Sequence, residues 1–147
     1  MSDDRSYPSR PYLGIGAIIF KGDAVLLVER GHEPLKGWWS IPGGILETGE
    51  RLADGVRREV LEETGLEVEP GPVFEVFERI MPDAEGRTEY HYVLLDYVCV
   101  VTGGVLRAAS DVSGAAWVHE EELTAYRITE GTLAVVERAF RARKNES

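Results

Sequence analysis

The sequence contains almost no cysteine, since Cys99 is the only one among its 147 residues and lies inside an apolar run. A disulfide within the chain is therefore excluded, and a lone buried thiol is typical of a reducing compartment. Residues 1–11 are polar and contain proline, without the basic stretch and apolar core of a secretory signal. We therefore expect a cytoplasmic protein.

Long apolar runs and basic blocks are also missing. No run approaches the roughly 20 apolar residues of a membrane-spanning helix, so we expect no membrane insertion. The formal net charge is −10, and the only block of basic residues is the short tail with Arg141, Arg143 and Lys144. Because binding to nucleic acid needs a basic surface, we expect no nucleic-acid partner. The same acidity would repel a phosphate-rich ligand unless divalent cations stood between them, which favours a metal site.

The length of the chain fits a single domain. We expect a flexible N-terminal arm over residues 1–11 and one domain over residues 12–143. Alternating and apolar patterns predict strands over residues 12–20, 25–29, 73–80, 90–101 and 115–118. Amphipathic spacing predicts helices over residues 51–64 and 130–143. A β-rich chain with two separated helices favours an α/β fold, in which a mixed sheet packs between helices.

A long loop and a buried strand complete the predicted organisation. The segment over residues 31–49 is rich in glycine, proline and tryptophan, which indicates a loop. Long ordered loops tend to be functional. Residues 94–101 are nearly all apolar, which predicts a strand that is buried on both faces.

The helix predicted over residues 51–64 carries three glutamates on one narrow stripe. With each residue advancing about 100° and Leu52 set at zero, Glu62, Glu59 and Glu63 fall at about 280°, 340° and 20°. Like charges at these spacings repel one another, and carboxylate oxygens in this number suit Mg²⁺ or Mn²⁺. The pattern alone leaves two interpretations open, a metal site or a merely solvated helix face.

Gly55 lies on the same stripe at about 300°, one turn ahead of Glu59. Glycine inside a helix costs about 1 kcal/mol relative to alanine, so its presence needs a reason. We predict that a metal ion or a phosphate comes close to the helix at this point. A chance residue without a function is the alternative.

The residues around this helix resemble the Nudix box, the signature of the Nudix hydrolase superfamily. The matching positions are Gly44, Glu50, Arg58, Glu59, Val60, Glu62, Glu63, Gly65 and Leu66. The run over residues 37–44 and the downstream Trp117 are similar to the same family, which extends the resemblance across the domain. The resemblance implies a Nudix-type α/β/α sandwich with a mixed central β-sheet.

The same resemblance implies a metal-dependent hydrolase. Such enzymes attack a phosphorus atom of a nucleoside diphosphate that is joined to another group. By this match Glu59, Glu62 and Glu63 are the metal ligands. The backbone carbonyl of Gly43 or Gly44 would complete the shell around Mg²⁺ or Mn²⁺.

Other catalytic roles follow from the match less directly. Arg58 and Glu50 would orient the ligating carboxylates, a role that is compatible with a structural salt bridge. The general base varies in this family and often lies in the loop ahead of a Trp-containing strand. Asp111, ahead of Trp117, is therefore predicted to ligate a metal or to accept a proton from water. Glu62 is the alternative base, and turn chemistry is the alternative role of Asp111.

The substrate is not implied by the box itself, but two features are similar to ADP-ribose pyrophosphatase-like members. They are the run over residues 37–44, which includes Gly43 and Gly44 as predicted substrate contacts, and Pro82 in a loop. We therefore expect hydrolysis of ADP-ribose to AMP and ribose 5-phosphate. Arg30 is predicted to contact a phosphate.

Several alternatives stay open from the sequence. Trp39 either stacks on a purine or packs in the core. A nucleoside triphosphate pyrophosphatase of the MutT-like, pool-cleaning type is the alternative enzyme. A non-catalytic sensor of a nucleotide ligand is less consistent with a box that retains all its carboxylates. Many relatives are homodimers, and an arm with Tyr7 and Tyr12 could cross between subunits, so a homodimer is left open.

Overall fold

The computed structural model describes residues 5–33 and 35–146. Its elements in chain order are β1 (Tyr12–Lys21), β2 (Ala24–Arg30), β3 (Trp39–Ser40), β4 (Gly43–Ile45), α1 (Leu52–Thr64), β5 (Leu66–Pro82), β6 (Thr88–Gly104), β7 (Val112–His119) and α2 (Thr132–Asn145), with a 3₁₀ helix at Glu120–Ala125. Every predicted strand and both predicted helices are present. β5 and β6 are longer than predicted because they pair with each other along nearly their whole length.

The strands form one mixed sheet in the order β3-β2-β1-β6-β5, with β4 paired to β1 and β7 paired to β2. β1 and β6 run parallel from the Tyr12–Tyr92 pair to the Ile19–Cys99 pair. The other strand pairings of the described residues are antiparallel. β1 therefore occupies the centre of the fold, with β4 beside its first half and β2 beside its end.

The two helices cover opposite faces of the sheet, because side chains alternate in direction along β1. In the first core cluster, Ile15 and Ile19 lie with Val56 and Val60 of α1. In the second core cluster, Ile18 lies with α2 residues: Val135, Val136, Ala139 and Phe140. This arrangement confirms the α/β/α sandwich with a mixed central sheet.

The boundaries of α1 agree with the sequence pattern. The helix begins at Leu52 and ends at Thr64. Gly65 follows it with a φ of 76° and donates its N–H to the carbonyl oxygen of Leu61 at 3.0 Å. Glycine adopts this left-handed conformation readily, which is why it ends the helix. No helix among the described residues is long and apolar enough to cross a membrane.

The described part of the predicted N-terminal arm contacts the β5–β6 hairpin. The Tyr7 hydroxyl donates to Asp83 Oδ2 at 2.8 Å, and the Tyr7 N–H donates to the carbonyl of Glu89 at 2.7 Å. The Arg87 guanidinium lies 5.3 Å from the Tyr7 ring centroid. The arm therefore contacts the hairpin at Tyr7, and its flexibility stays a prediction. Residues 1–4 lie outside the described residues.

The end of β6 differs from its prediction. Asp96 and Cys99 are buried, but Val100 is 66% exposed. Val98 still packs against the second core cluster, whereas Val100 belongs to neither cluster. The prediction of burial on both faces is therefore wrong for this end of residues 94–101, because the core beside α2 does not reach it.

Candidate active site

The glycine-rich strand β4 lies against α1 at one edge of β1. It pairs with β1 through Gly43–Gly16 and Gly44–Ile15. A Cβ atom at Gly44 would lie 2.4 Å from the carboxyl carbon of Glu59, and one at Gly43 would lie 2.1 Å from the carbonyl oxygen of Ile15. Gly43 therefore requires glycine, whereas a side chain at Gly44 would displace the Glu59 carboxylate, so the bare backbone of β4 borders the carboxylates of α1.

Glu63 is the most buried of the three predicted metal ligands, with 7% of its surface exposed. Its Oε1 accepts a hydrogen bond from the Gly43 N–H at 3.0 Å. Burial raises the pKa of this carboxyl to about 8; the charges of Glu59 and Asp111 act in the same direction, and the bond from Gly43 opposes them. Nearby positive charge would therefore stabilise the ionised form of Glu63.

Arg58 connects the carboxylates on the outer side of α1. Its Nε donates to Glu50 Oε2 at 2.6 Å and its Nη2 donates to Glu50 Oε1 at 2.9 Å. Its Nη1 donates to Glu59 Oε1 at 2.8 Å, and its Nη2 also reaches the carbonyl of Ile45 at 3.2 Å. The hydrogen bond from Arg58 lowers the pKa of Glu50 to about 2. Arg58 and Glu50 thus lie where they can hold the Glu59 carboxylate in one orientation.

Carboxylates outnumber cations around Arg58. Four glutamates lie within 3.6 Å of its guanidinium: Glu47, Glu50, Glu59 and Glu62. Burial raises the pKa of the Glu59 carboxyl; Arg58 opposes this shift, while the charges of Glu62 and Asp111 add to it. The cluster is therefore under-neutralised, which favours binding of a divalent cation.

The oxygen atoms available between β4 and α1 suit a hard cation. Carboxylate and carbonyl oxygens are the ligands that Mg²⁺ and Mn²⁺ take. In the part of the chain that the structure describes, no three acidic, histidine or cysteine side chains form a ready-made metal cluster. The Glu59 carboxylate instead accepts a hydrogen bond from Arg58, and the Glu63 carboxylate accepts one from the Gly43 N–H. Their burial and their excess negative charge nevertheless fit a divalent ion.

Gly55 lies where α1 packs against β1. A Cβ atom there would lie 2.6 Å from Ile15 Cδ1, 2.9 Å from Leu46 Cδ1 and 3.0 Å from Glu50 Oε1. Packing against Ile15 and Leu46 explains this glycine without a ligand, and the approach of a metal ion or a phosphate stays a prediction. Close packing of α1 on β1 requires it.

The loop between β6 and β7 is held against the C-terminal end of α1. The Arg107 N–H donates to the carbonyl of Thr64 at 2.8 Å, and the Ala109 N–H donates to the carbonyl of Glu63 at 3.0 Å. These bonds satisfy carbonyl groups that a helix end leaves without partners. They also bring the following residue pair, Ser110 and Asp111, toward the carboxylates of α1.

Asp111 lies near enough to the carboxylate cluster for its charge to act there, and its side chain is open to solvent. Its side chain is 76% exposed and its Oδ1 lies 3.4 Å from His32 Nε2. Its backbone carbonyl accepts the Gly31 N–H at 2.8 Å, and its charge contributes to the raised pKa of both Glu59 and Glu63. The structure thus brings Asp111 to the cluster, and its part in proton transfer stays a prediction.

A cleft opens beside β4 near the start of α2. Arg5, Arg30 and Arg79 line it together with Gly43 and Gly44. Three of the predicted substrate contacts, Arg30 and the two glycines, are therefore brought together at the border between the cleft and the carboxylate cluster.

Trp39 is placed differently from the other predicted substrate contacts. Its ring meets the Tyr126 ring edge-to-face at a centroid distance of 5.0 Å and packs against the second core cluster. It is not among the described residues that line the cleft. Of the two placements that the sequence left open for Trp39, the structure has the one in the core.

The sequence did not single out three charged residues of the cleft, which are Arg5, Arg79 and Asp96. Asp96 is 5% exposed on β6. Arg79 Nη2 donates to the carbonyl of Glu130 at 2.5 Å, and burial lowers the pKa of its guanidinium. Asp96 carried a usable signal, because it is the one charged residue in the apolar run over residues 94–101. Arg79 carried none, since charged residues are frequent along the half-exposed strand β5.

The NUDIX domain family matches residues 10–139. The ADP-ribose pyrophosphatase of Methanocaldococcus jannaschii is 34% identical over 105 residues, which cover 71% of this chain and only 60% of that protein. The nucleoside triphosphatase NudI of Escherichia coli is 33% identical over 110 residues, which cover 71% of this chain and 76% of that protein. The MutT NUDIX hydrolase of Burkholderia pseudomallei has a crystal structure that superposes with a TM-score of 0.77 at 27% identity, covering 88% of this chain and 98% of that one.

Proposed function

This chain belongs to the NUDIX domain family, and we propose that it is a metal-dependent hydrolase that cleaves ADP-ribose into AMP and ribose 5-phosphate. The observation that carries the proposal is the under-neutralised carboxylate cluster at the border of an arginine-lined cleft. A diphosphate bound across this border would meet cations on both sides. The archaeal relative described as an ADP-ribose pyrophosphatase supports the choice of substrate.

Mg²⁺ or Mn²⁺ is the proposed cofactor, and its proposed ligands are Glu59, Glu62, Glu63 and the carbonyl oxygen of Gly43. When bound, such an ion neutralises charge that develops on the diphosphate and lowers the pKa of a coordinated water. The Gly43 N–H holds the carboxylate of Glu63. Arg58, itself held by both oxygens of Glu50, holds the carboxylate of Glu59.

A base must accept a proton from the attacking water. We propose Asp111 for this role, because its exposed carboxylate belongs to a loop that is anchored on α1 and its charge acts on Glu59 and Glu63. Glu62 is the alternative, since its side chain is 47% exposed and lies beside Arg58.

A nucleoside triphosphate pyrophosphatase is the second candidate function. The similarity to the nucleoside triphosphatase NudI favours it, at nearly the same identity as the archaeal relative and over more of that protein's length. The same carboxylate cluster would serve both reactions, because each breaks a phosphoanhydride bond with water.

Hydrolysis of a substrate panel separates these candidates. The panel contains ADP-ribose, NADH, dinucleoside polyphosphates and nucleoside triphosphates including an oxidised purine, each with Mg²⁺ or Mn²⁺. We expect chromatography to resolve AMP and ribose 5-phosphate from ADP-ribose. Triphosphates that yield a monophosphate and pyrophosphate would instead support the second candidate. No turnover of any substrate would contradict both and would favour a ligand sensor.

We also propose a cytoplasmic homodimer. β5 lies at an edge of the sheet and exposes Val73, Val76 and Ile80 at 45%, 57% and 54%. Burial of such side chains against a second copy would be favourable. Light scattering that gives the mass of one chain would contradict the dimer.

The cytoplasmic location is proposed from Cys99. Burial raises the pKa of the Cys99 thiol to about 12, so the thiol stays protonated and unreactive, which suits a reducing compartment.

A further inference from the structure

Asp96 is a buried acidic residue without a role in the proposed hydrolysis. It lies on β6, is 5% exposed and borders the cleft. Within the described residues no donor reaches its carboxyl, and the charges that act on it are those of Glu75 and Arg79. In the same residues no fully enclosed side-chain oxygen lacks a partner. The accessible part of the Asp96 carboxyl therefore opens into the cleft.

Burying a carboxyl without a fixed partner is costly. Burial raises the pKa of Asp96 to about 6; the charge of Glu75 adds to the shift and that of Arg79 opposes it. At neutral pH the group is therefore mainly ionised and is a pure hydrogen-bond acceptor. A ligand that brings an N–H donor to this point would satisfy the acceptor.

Gly16 keeps the approach to Asp96 open. A Cβ atom at Gly16 would lie 2.4 Å from Asp96 Oδ1 and 2.9 Å from Ile41 Cδ1. On its other side Gly16 is paired with Gly43, whose N–H holds Glu63. Two strand spacings, roughly 10 Å, thus separate the backbone of Asp96 from that of the carboxylate border. In a purine nucleotide the base and the ribose together place the exocyclic amino group at a comparable distance from the phosphates.

The cleft has apolar side chains in its lining as well as the three arginines Arg5, Arg30 and Arg79. Ile41, Phe77, Met81 and Leu94 are among the residues that line the cleft. Apolar and aromatic side chains of this kind bind the faces of ring systems. An ionised carboxyl at the same point would repel a phosphate group. The apolar lining and the carboxyl together favour a base over a phosphate at Asp96.

We infer that Asp96 is a specificity-determining residue, which accepts a hydrogen bond from the exocyclic amino group of the purine base of the substrate. The inference rests on the proposed function, because it takes the ligand to be a nucleotide whose diphosphate lies at the carboxylate cluster. It names a binding contact and no chemical step.

Calorimetry with two nucleoside monophosphates tests the contact without hydrolysis, since neither contains a phosphoanhydride bond. The ligands are AMP and purine riboside 5′-monophosphate, which carries hydrogen in place of the amino group. With Mg²⁺ present, we expect the wild type to bind AMP about ten to a hundred times more tightly than purine riboside 5′-monophosphate, because a hydrogen bond to a charged group contributes about that much. Asp96→Leu should abolish this preference, and Asp96→Asn, which retains an acceptor oxygen, should keep part of it.

Asp23→Asn in the exposed β1–β2 turn is the matched control and should bind like the wild type. Circular dichroism establishes that each variant is folded. Equal binding of the two ligands by the wild type, binding of neither, or a preference for AMP that survives Asp96→Leu would overturn the inference. Failure of the proposed function is seen separately, as absence of ADP-ribose hydrolysis in a protein that still prefers AMP.

Discussion

The ion pair between Glu50 and Arg58 both orients the site and stabilises the fold. The hydrogen bond from Arg58 lowers the pKa of Glu50 from its ordinary value of 4.5 to about 2. Between these values the unfolded chain binds more protons at Glu50 than the folded protein does. The stability that the pair contributes is therefore present above about pH 4.5 and is lost as the pH falls toward about 2.

Glu50→Gln should make this dependence visible. We expect the variant to have a lower free energy of unfolding than the wild type at neutral pH. The difference should shrink as the pH falls from about 4.5 toward about 2, because the unfolded wild type takes up a proton at Glu50 in this range while the folded protein does so only near its lower end. Urea unfolding at a series of pH values measures it, with Glu121→Gln at an exposed position as the control. A difference that stays constant across the series would contradict the assigned role.

Asp111 should affect turnover more than binding if it accepts the proton from water. We expect Asp111→Asn to lower kcat by about a hundredfold while changing KM for ADP-ribose much less, since a positioned base contributes about that much. Steady-state kinetics of Asp111→Asn, measured in parallel with the control variant Asp23→Asn, provide the test. A wild-type kcat in the variant would leave Asp111 as a turn residue and make Glu62 the base.

At the scale of the elements, α1 fits β1 closely at Gly55. Alanine would normally stabilise a helix interior by about 1 kcal/mol relative to glycine. Here the added Cβ would overlap Ile15 and Leu46, so we expect Gly55→Ala to reduce the free energy of unfolding by about 1–2 kcal/mol. Urea denaturation tests this. Unchanged or increased stability with lost activity would instead support the idea that a ligand approaches the helix at Gly55.

Most of the fold could be predicted, because the spacing of apolar residues and the positions of turn-forming residues are local features of the sequence. The amphipathic stripe and Gly65 located α1 to within a residue of its start. The exposure of Val100 was not predictable in this way, because an apolar strand does not reveal how far the facing helix extends. The 17-residue length of β5 also depends on its partner, since pairing with β6 keeps exposed polar positions in the strand.

The candidate site was predictable to the extent that its residues lie close together in the sequence. The helix spacing and the box resemblance placed Glu59, Glu62 and Glu63 on one stripe. The cleft was not predictable, because β1, β5 and β6 bring Gly16, Arg79 and Asp96 together only after the sheet has formed. The position of Trp39 was not predictable for the same reason, since its packing on Tyr126 depends on a residue far along the chain.

For the whole molecule, the net charge of −10 implies that a bound cation stabilises the folded protein in addition to any part it has in catalysis. We expect Mg²⁺ to raise the melting temperature of the wild type, because an ion at a hundred times its Kd stabilises by about 2.7 kcal/mol. NaCl at the same ionic strength is the control for general screening. Glu59→Gln should lose most of the rise that is specific to Mg²⁺. An equal rise in both proteins would show that the ion binds elsewhere.

The dependence of hydrolysis on the α1 carboxylates is tested most directly at Glu63. Glu63→Gln keeps an oxygen that can accept the Gly43 N–H but cannot carry the negative charge that a bound cation would stabilise. With ADP-ribose and Mg²⁺, we expect its kcat to fall at least about a hundredfold, because charge stabilisation by the ion is worth several kcal/mol. Glu67→Gln, at an exposed position just beyond the helix, should keep the wild-type rate. Near-normal turnover by a folded Glu63→Gln protein would contradict the assignment of this helix to the reaction.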